Sequence, residues 1–172
     1  MTTNPFKPPE TDSTRNPRPP VKPGSPLRAV LTGLAVDVGG TVVIGIAISV
    51  MYATQLLGQG VAEGDLRQAM EDMPHDSAFY IGGTLLGLLM SLLGGYVCAR
   101  IARRDEYRAG AIMAALSTLL GLMMTAHPAF DEMTVLLTAS SIACNLLGVK
   151  YGVEFNRRAQ APDDPAEDAS TP

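Results

Sequence analysis

Four long apolar stretches, separated by short polar segments, constrain this chain more than any other feature. They run over about 29–57, 78–102, 109–126 and 133–155. A helix needs about 20 mostly apolar residues to cross the hydrocarbon core of a bilayer, and a helix satisfies all of its backbone polar groups without water. In so small a chain, four such stretches leave too little polar surface to cover them in water. The sequence therefore predicts an all-α polytopic membrane protein, a bundle of four transmembrane helices.

The two ends of the chain differ sharply from these stretches. The first 26 residues contain eight of the 13 prolines and almost no large apolar side chains, and the chain closes on AQAPDDPAEDASTP. Such segments cannot bury enough apolar surface to offset the entropy that is lost on ordering. We therefore predict a disordered Pro-rich tail over 1–27, a transmembrane domain over 28–156 and a disordered acidic tail over 157–172.

The distribution of Lys and Arg predicts the orientation in the membrane. Of the 13 basic residues, all but Arg67 lie in the N-terminal tail, in the connection between the second and third stretches, or in the C-terminal region. The other two connections carry an excess of Asp and Glu. Cytoplasmic loops are enriched in Lys and Arg, so we expect both termini on the cytoplasmic side of a bacterial inner membrane. This arrangement requires an even number of crossings, which agrees with four.

The segment GGYVCARIARRDEYRAGA, residues 94–111, carries four arginines between the second and third stretches: Arg100, Arg103, Arg104 and Arg108. At this position they mark the cytoplasmic turn. They can also contact anionic lipid headgroups, where each cation gains about 1 kcal/mol. The basic patch is short, lacks interleaved aromatic residues and adjoins the lipid, so we expect no nucleic acid as a partner.

Small residues recur at every fourth position within the apolar stretches, a spacing typical of membrane helices whose backbones approach closely. We call such a row a small-residue stripe and expect the stripes to hold the bundle together. A stripe left over after bundle formation can serve a homo-oligomer or a larger membrane complex. The stripe residues predicted to pack are Gly83, Gly87, Ser91 and Gly95 in the second stretch and Gly148 and Gly152 in the fourth.

Asp37, within LAVDVGGT, is the only carboxylate well inside an apolar stretch. A charged side chain at a helix centre costs about 2.5–3.5 kcal/mol on insertion scales, so Asp37 should face the bundle interior and have a polar partner. In the predicted orientation, Tyr96, Arg100, Asn145 and Lys150 lie in the same half of the membrane, and we predict an intramembrane polar cluster of these five residues. Asp37 is then either a proton- or cation-coupling carboxylate or the centre of an ion pair or hydrogen bond that fixes helix packing.

Patterns typical of enzymes are absent from the sequence: it has no Gly-rich phosphate loop, no HExxH and no GxSxG. His75 and His127 lie near methionines on the predicted outer side, and these side chains suit Cu(I), but their spacing matches no recognised site. The segment VAEGDLRQAMEDM favours a short surface helix there. Cys98 and Cys144 lie within apolar stretches, where cysteine is usually a small packing residue. We expect no catalytic residue, no metal and no cofactor.

The stretches LRAVLTGLAVDVGGTVV and GGYVCARIARRDEYRAGAIMAALSTLLGL resemble a pattern found in small uncharacterised bacterial inner-membrane proteins with four spans. Those proteins carry an Asp-Gly-Gly or similar element in the first span and a GGYxxARxAR hairpin after the second. The resemblance covers about half of the chain. It implies the four-span architecture and no known activity. The matching residues are Gly94, Gly95, Tyr96, Ala99, Arg100, Ala102 and Gly110.

Two functions are open from the sequence alone. The first is a non-enzymatic structural or interaction protein that packs with itself or with a larger membrane complex. The second is a small ion-coupled transporter, or a transport subunit, that uses Asp37. The lipid bilayer, with its anionic headgroups, is the partner expected in both cases.

Overall fold

The computed structural model describes residues 24–124 and 132–160. This part of the chain contains helices and no strand, and four of the helices are long and apolar enough to cross a membrane. The predicted all-α fold, a polytopic four-helix membrane bundle, is confirmed. The helices are α1 Pro26–Gly58, α2 Leu66–Glu71, α3 Ala78–Ala102, α4 Glu106–Met124 and α5 Glu132–Gln160. The short α2 lies in the connection between α1 and α3, where the sequence predicts a surface helix.

Helix α1 begins before the predicted span. Ser25 accepts a hydrogen bond from the backbone amide of Arg28 at 3.4 Å, and Pro26 occupies the first turn. Both features are typical of helix N-termini. The disorder predicted over 1–27 is therefore wrong at 26–27, and 1–23 lie outside the described residues.

Helix α5 continues past the predicted end of the fourth span. Its last turn carries Arg157 and Arg158, whose positive charge is favourable at a helix C-terminus, and Arg158 pairs with Glu154 at 2.6 Å. The disorder predicted over 157–172 is therefore wrong at 157–160. Residues 161–172 and the predicted end of the third span, 125–126, lie outside the described residues.

Helix α3 is the central helix of the bundle. It contacts α1, α4 and α5, and α4 also contacts α1 and α5. The outward faces of these helices are apolar: Val43, Ile46 and Leu85 are each more than 60% exposed. Large apolar patches of this kind are rare on soluble monomers. Together with the length and hydropathy of the four helices, they identify a multi-pass membrane protein.

Glycines bring α3 and α5 into backbone contact. A Cβ atom at Gly148 would lie 2.0 Å from the carbonyl oxygen of Leu92, and one at Gly95 would lie 2.1 Å from the carbonyl oxygen of Asn145. Gly152 lies in the same contact, where a Cβ atom would be 2.8 Å from the carbonyl oxygen of Tyr96. Only glycine fits this approach, because the opposing atoms belong to the backbone and cannot rotate away.

The other two glycines of the α3 stripe lie where the helices are further apart. A Cβ atom at Gly87 would have its nearest neighbour at 3.9 Å, in the side chain of Thr41. One at Gly83 would meet only the tip of the Ile48 side chain, at 3.1 Å. The same small-residue stripe therefore makes a tight contact in one half of α3 and leaves space in the other half.

Candidate functional site

Helix α1 widens into a π-helical turn over Ala35–Gly39, and Asp37 lies at its centre. Single π-helical turns inside α-helices occur frequently at functional sites. The Asp37 side chain is only 2% exposed. The first transmembrane helix thus directs its one carboxylate into the bundle interior, as the cost of exposing a charge to lipid requires.

Three other helices donate hydrogen bonds to the Asp37 carboxylate. The Ser91 hydroxyl on α3 donates to Oδ1 at 2.8 Å, and the Ser117 hydroxyl on α4 donates to Oδ2 at 2.5 Å. From α5, Asn145 Nδ2 donates to Oδ2 at 3.4 Å, and the Ser141 hydroxyl lies 3.0 Å from the Ser91 hydroxyl. We call these five residues the central polar cluster. It joins all four transmembrane helices around one carboxylate.

The structure brings Asn145 to Asp37, as predicted, but it does not bring Arg100 there. Arg100 donates a hydrogen bond to the Tyr96 hydroxyl at 2.9 Å, and its guanidinium lies 4.0 Å from the centre of the Phe155 ring. Two causes act together: Arg100 is nine residues past Ser91 on α3, which places it about 13 Å further along the helix and on the opposite face. A long basic side chain at a helix end is stabilised near the membrane surface.

Lys150 does not reach Asp37 either, since it is exposed on α5. Among the described residues, the ion pairs join Arg67 to Glu71 and Arg158 to Glu154, so none of them involves Asp37. The predicted cluster is therefore corrected: Asp37 and Asn145 belong to it, whereas Tyr96, Arg100 and Lys150 do not. The carboxylate is held by hydroxyl and amide groups and has no basic partner in the described part of the chain.

Two of the hydroxyls, those of Ser117 and Ser141, are not among the residues that the sequence predicts for the site, and Ser91 is predicted only as a packing residue. A sequence signal exists for part of this set. Thr134, Thr138 and Ser141 follow one another at helical spacing of four and three residues, which places them on one face of α5. Hydroxyls that repeat on one face of an apolar helix mark a polar surface.

A cavity of about 580 Å³ extends from Asp37 along the bundle axis. This volume lies within the range of small-ligand sites, about 300–1,000 Å³. The cavity reaches Tyr80, Met124 and Thr134, which lie at the helix ends opposite the arginine-rich turn. All four transmembrane helices line it. Its hydroxyl-bearing side chains include Thr41, Thr84, Ser117, Thr118, Thr138 and Ser141.

On the other side of Asp37, towards the arginine-rich turn, the helices close tightly. A Cβ atom at Gly94 would lie 2.9 Å from the carbonyl oxygen of Gly33 and 2.7 Å from Cβ of Asp37. Cys98 and Met113 fill the next layer and are fully buried. Asp37 therefore lies at one end of the cavity, where the helices are closed on the side of the turn.

The groups around Asp37 offer oxygen ligands. Among the described residues, no three His, Cys, Asp or Glu side chains come close enough to hold a metal ion. His75 packs edge-on against Tyr80, and His127 lies outside the described residues. Carboxylate, hydroxyl and carboxamide oxygens suit a proton or a hard cation. The site can therefore hold a small positive ion next to the buried carboxylate.

No protein-family model, curated protein or solved structure matches the chain. The resemblance to bacterial proteins with a GGYxxARxAR hairpin stays a prediction.

Proposed function

We propose that this protein is a small ion-coupled transport protein, or the transport subunit of a larger complex, in which Asp37 takes up a proton or a cation. The observation that supports this function is the cavity, which ends on a buried carboxylate with no basic partner in the described part of the chain. Ionisable groups inside membrane bundles commonly lie on ion pathways and proton relays.

A purely structural role explains the hydrogen bonds but not the space beside them. A neutral Asn or Ser at position 37 could form hydrogen bonds with Ser91, Ser117 and Asn145 at a lower desolvation cost than a carboxylate. A residue that serves only packing also gives no reason for a cavity of about 580 Å³ that has several hydroxyl groups among its lining side chains. The structural or interaction function stays a prediction, and the cavity favours transport.

The asymmetry of the bundle fits one state of a transport cycle. Transporters expose a site near the bilayer midplane to one side at a time. Here the cavity reaches the helix ends opposite the arginine-rich turn, and glycine contacts close the other side. If the arginine-rich turn is cytoplasmic, as the charge distribution favours, this state faces the outside of a bacterial inner membrane and both termini are cytoplasmic.

The test is ion flux through the full chain reconstituted into liposomes. A proton gradient and then sodium and potassium gradients are imposed, and flux is followed with pH-sensitive and cation-sensitive dyes. We expect Asp37→Asn to lower the flux at least about tenfold because it removes the only charged group at the site. Asp72→Asn, the same change at an exposed carboxylate outside the spans, is the matched control and should keep the flux.

The size-exclusion profile and helical circular dichroism of each variant show whether it is folded. A folded Asp37→Asn variant with wild-type flux would contradict the proposal. So would a wild-type protein that carries none of the three ions.

A further inference from the structure

The central polar cluster contains more oxygen atoms than a proton needs. A proton on Asp37 requires one carboxylate oxygen and one acceptor, whereas this site also brings three hydroxyls and a carboxamide together. Successive polar atoms of the cluster are 2.5 to 3.4 Å apart. Each hydroxyl can turn its hydrogen away and offer a lone pair instead.

Asn145 is the member of the cluster whose side-chain hydrogen bonds are incomplete. Its side chain is 2% exposed, and its Oδ1 atom has no hydrogen-bond partner. A buried polar atom left unpaired costs about 1–3 kcal/mol, and natural proteins contain few of them. The other end of the same carboxamide, Nδ2, makes only a long hydrogen bond of 3.4 Å to Asp37. Turning the carboxamide over within the same space points Oδ1 at the carboxylate, which is favourable only if a proton or a metal cation lies between the two oxygens.

From these two observations we infer that the central polar cluster binds one monovalent metal cation of the size of sodium. The inference rests on the proposed function and names its ion. The ligands are the carboxylate of Asp37, the hydroxyls of Ser91, Ser117 and Ser141, and the turned carboxamide of Asn145.

The charge of the site selects a monovalent ion. One carboxylate carries one negative charge, and a monovalent cation leaves the buried site neutral. Calcium sites in proteins usually combine several carboxylates, and a divalent ion on Asp37 alone would leave an uncompensated charge inside the membrane.

The spacing of the oxygens selects the size. Sodium and calcium ions have nearly equal radii, and calcium–oxygen distances are about 2.3–2.6 Å, which gives neighbouring oxygens of an octahedral site a separation of about 3.4 Å. Nδ2 of Asn145, whose place Oδ1 takes when the carboxamide turns, lies 3.4 Å from Oδ2 of Asp37. The serine contacts, 2.5 to 3.0 Å long, have to open by several tenths of an ångström. The larger potassium ion requires a wider opening, so we expect a preference for sodium.

The cavity supplies the route to this site. Thr84, Thr118 and Thr138 lie between the helix ends and the central polar cluster. Their hydroxyls can replace part of the water shell of the ion before it reaches Asp37. The ion thus enters from the side opposite the arginine-rich turn.

Sodium binding is tested directly with radioactive ²²Na⁺ on the purified full chain at constant ionic strength, with choline chloride replacing sodium chloride. We expect saturable binding of one ion per chain, competition by unlabelled sodium at lower concentrations than by potassium, and loss of binding in Asp37→Asn. Sodium binding should also raise the unfolding temperature of the wild type, whereas choline should not.

Ser141→Ala keeps the test informative if Asp37→Asn fails to fold. Ser141 reaches Asp37 only through Ser91, so its removal spares the direct hydrogen bonds of the carboxylate. We expect sodium to bind about tenfold more weakly because one oxygen ligand is lost. Ser140→Ala, the same change at a residue that does not line the cavity, should bind sodium as the wild type does.

The outcomes separate this inference from the proposed function. Proton flux that depends on Asp37, without any ²²Na⁺ binding, overturns the sodium site and leaves transport standing. Sodium binding without flux of any ion supports the site and overturns transport. Equal sodium affinities of Ser141→Ala and Ser140→Ala overturn the assignment of the ligands.

Discussion

Gly148→Ala adds a single methyl group at the closest contact between α3 and α5. The new Cβ atom would lie 2.0 Å from the carbonyl oxygen of Leu92 and 2.9 Å from the backbone nitrogen of Tyr96. Both neighbours are backbone atoms, so no side-chain rotation can relieve the overlap. To restore an ordinary contact of 3.4 Å, the two helices have to separate locally by about 1.4 Å.

The expected effect is a loss of stability. Overpacking a close contact costs about 1–3 kcal/mol and occasionally more, whereas replacing Gly by Ala within a helix gains about 1 kcal/mol in helix propensity. A helix shift of this size also reduces dispersion contacts along the whole α3–α5 interface, so we place the net loss at about 2 kcal/mol. The separation further lengthens the contact between Asn145 and Asp37, since Asn145 lies one turn away on the same helix.

Unfolding in detergent as a function of denaturant, followed by circular dichroism, measures this loss. Gly45→Ala is the matched control, because a Cβ atom at Gly45 meets nothing within 4 Å, and it should keep or slightly raise the stability. A Gly148→Ala variant as stable as Gly45→Ala would show that α3 and α5 do not make this backbone contact.

Two further predictions concern the end of the bundle near the arginine-rich turn. The buried Asn156 donates a hydrogen bond of 3.0 Å to the carbonyl oxygen of Ala99, so Asn156→Ala should lower the free energy of unfolding by about 1–3 kcal/mol; an unchanged denaturation midpoint would show that the bond contributes nothing. Arg100→Lys removes a planar guanidinium from the Phe155 ring and should cost about 0.5–1 kcal/mol in stability. It should leave ion flux within about twofold of wild type, since Arg100 does not reach Asp37, and a flux as low as that of Asp37→Asn would contradict the separation of the two sites.

The sequence was sufficient to predict the fold because its physical cause is local. Each span is identified by the length and hydropathy of its own residues, and lipid leaves few alternatives to a helix. The interior position of Asp37 could be predicted for a similarly local reason, because an unpaired charge in contact with lipid is costly wherever its partners lie. The helix ends were harder to predict from the sequence. Both α1 and α5 extend into segments whose composition is typical of disordered chains, α1 through Ser25 and Pro26 and α5 through the arginines of its last turn.

The composition of the site was only partly predictable. Depth in the membrane can be estimated from position along a span, and it placed Arg100 and Asn145 in the same half as Asp37. The rotation of each helix about its axis depends on how the helices pack, and it points Asn145 inwards while Arg100 packs against Phe155. Ser117 was missed because an isolated hydroxyl is tolerated on any face of a membrane helix.

The small-residue stripe of α3 shows the same limit. Gly95 and Gly87 have identical spacing in the sequence, yet Gly95 meets the backbone of α5 and Gly87 borders the cavity. The pattern indicates that close approach is allowed, and the positions of the partner helices decide whether it occurs.

Infrared difference spectroscopy tests most directly whether Asp37 takes up an ion. Spectra of the reconstituted protein are recorded after replacing choline with sodium and, separately, after a pH step. We predict a change in a carboxyl or carboxylate stretching band under at least one of the two conditions, present in the wild type and in Asp72→Asn and absent in Asp37→Asn. Identical difference spectra for wild type and a folded Asp37→Asn variant under both conditions would contradict the account.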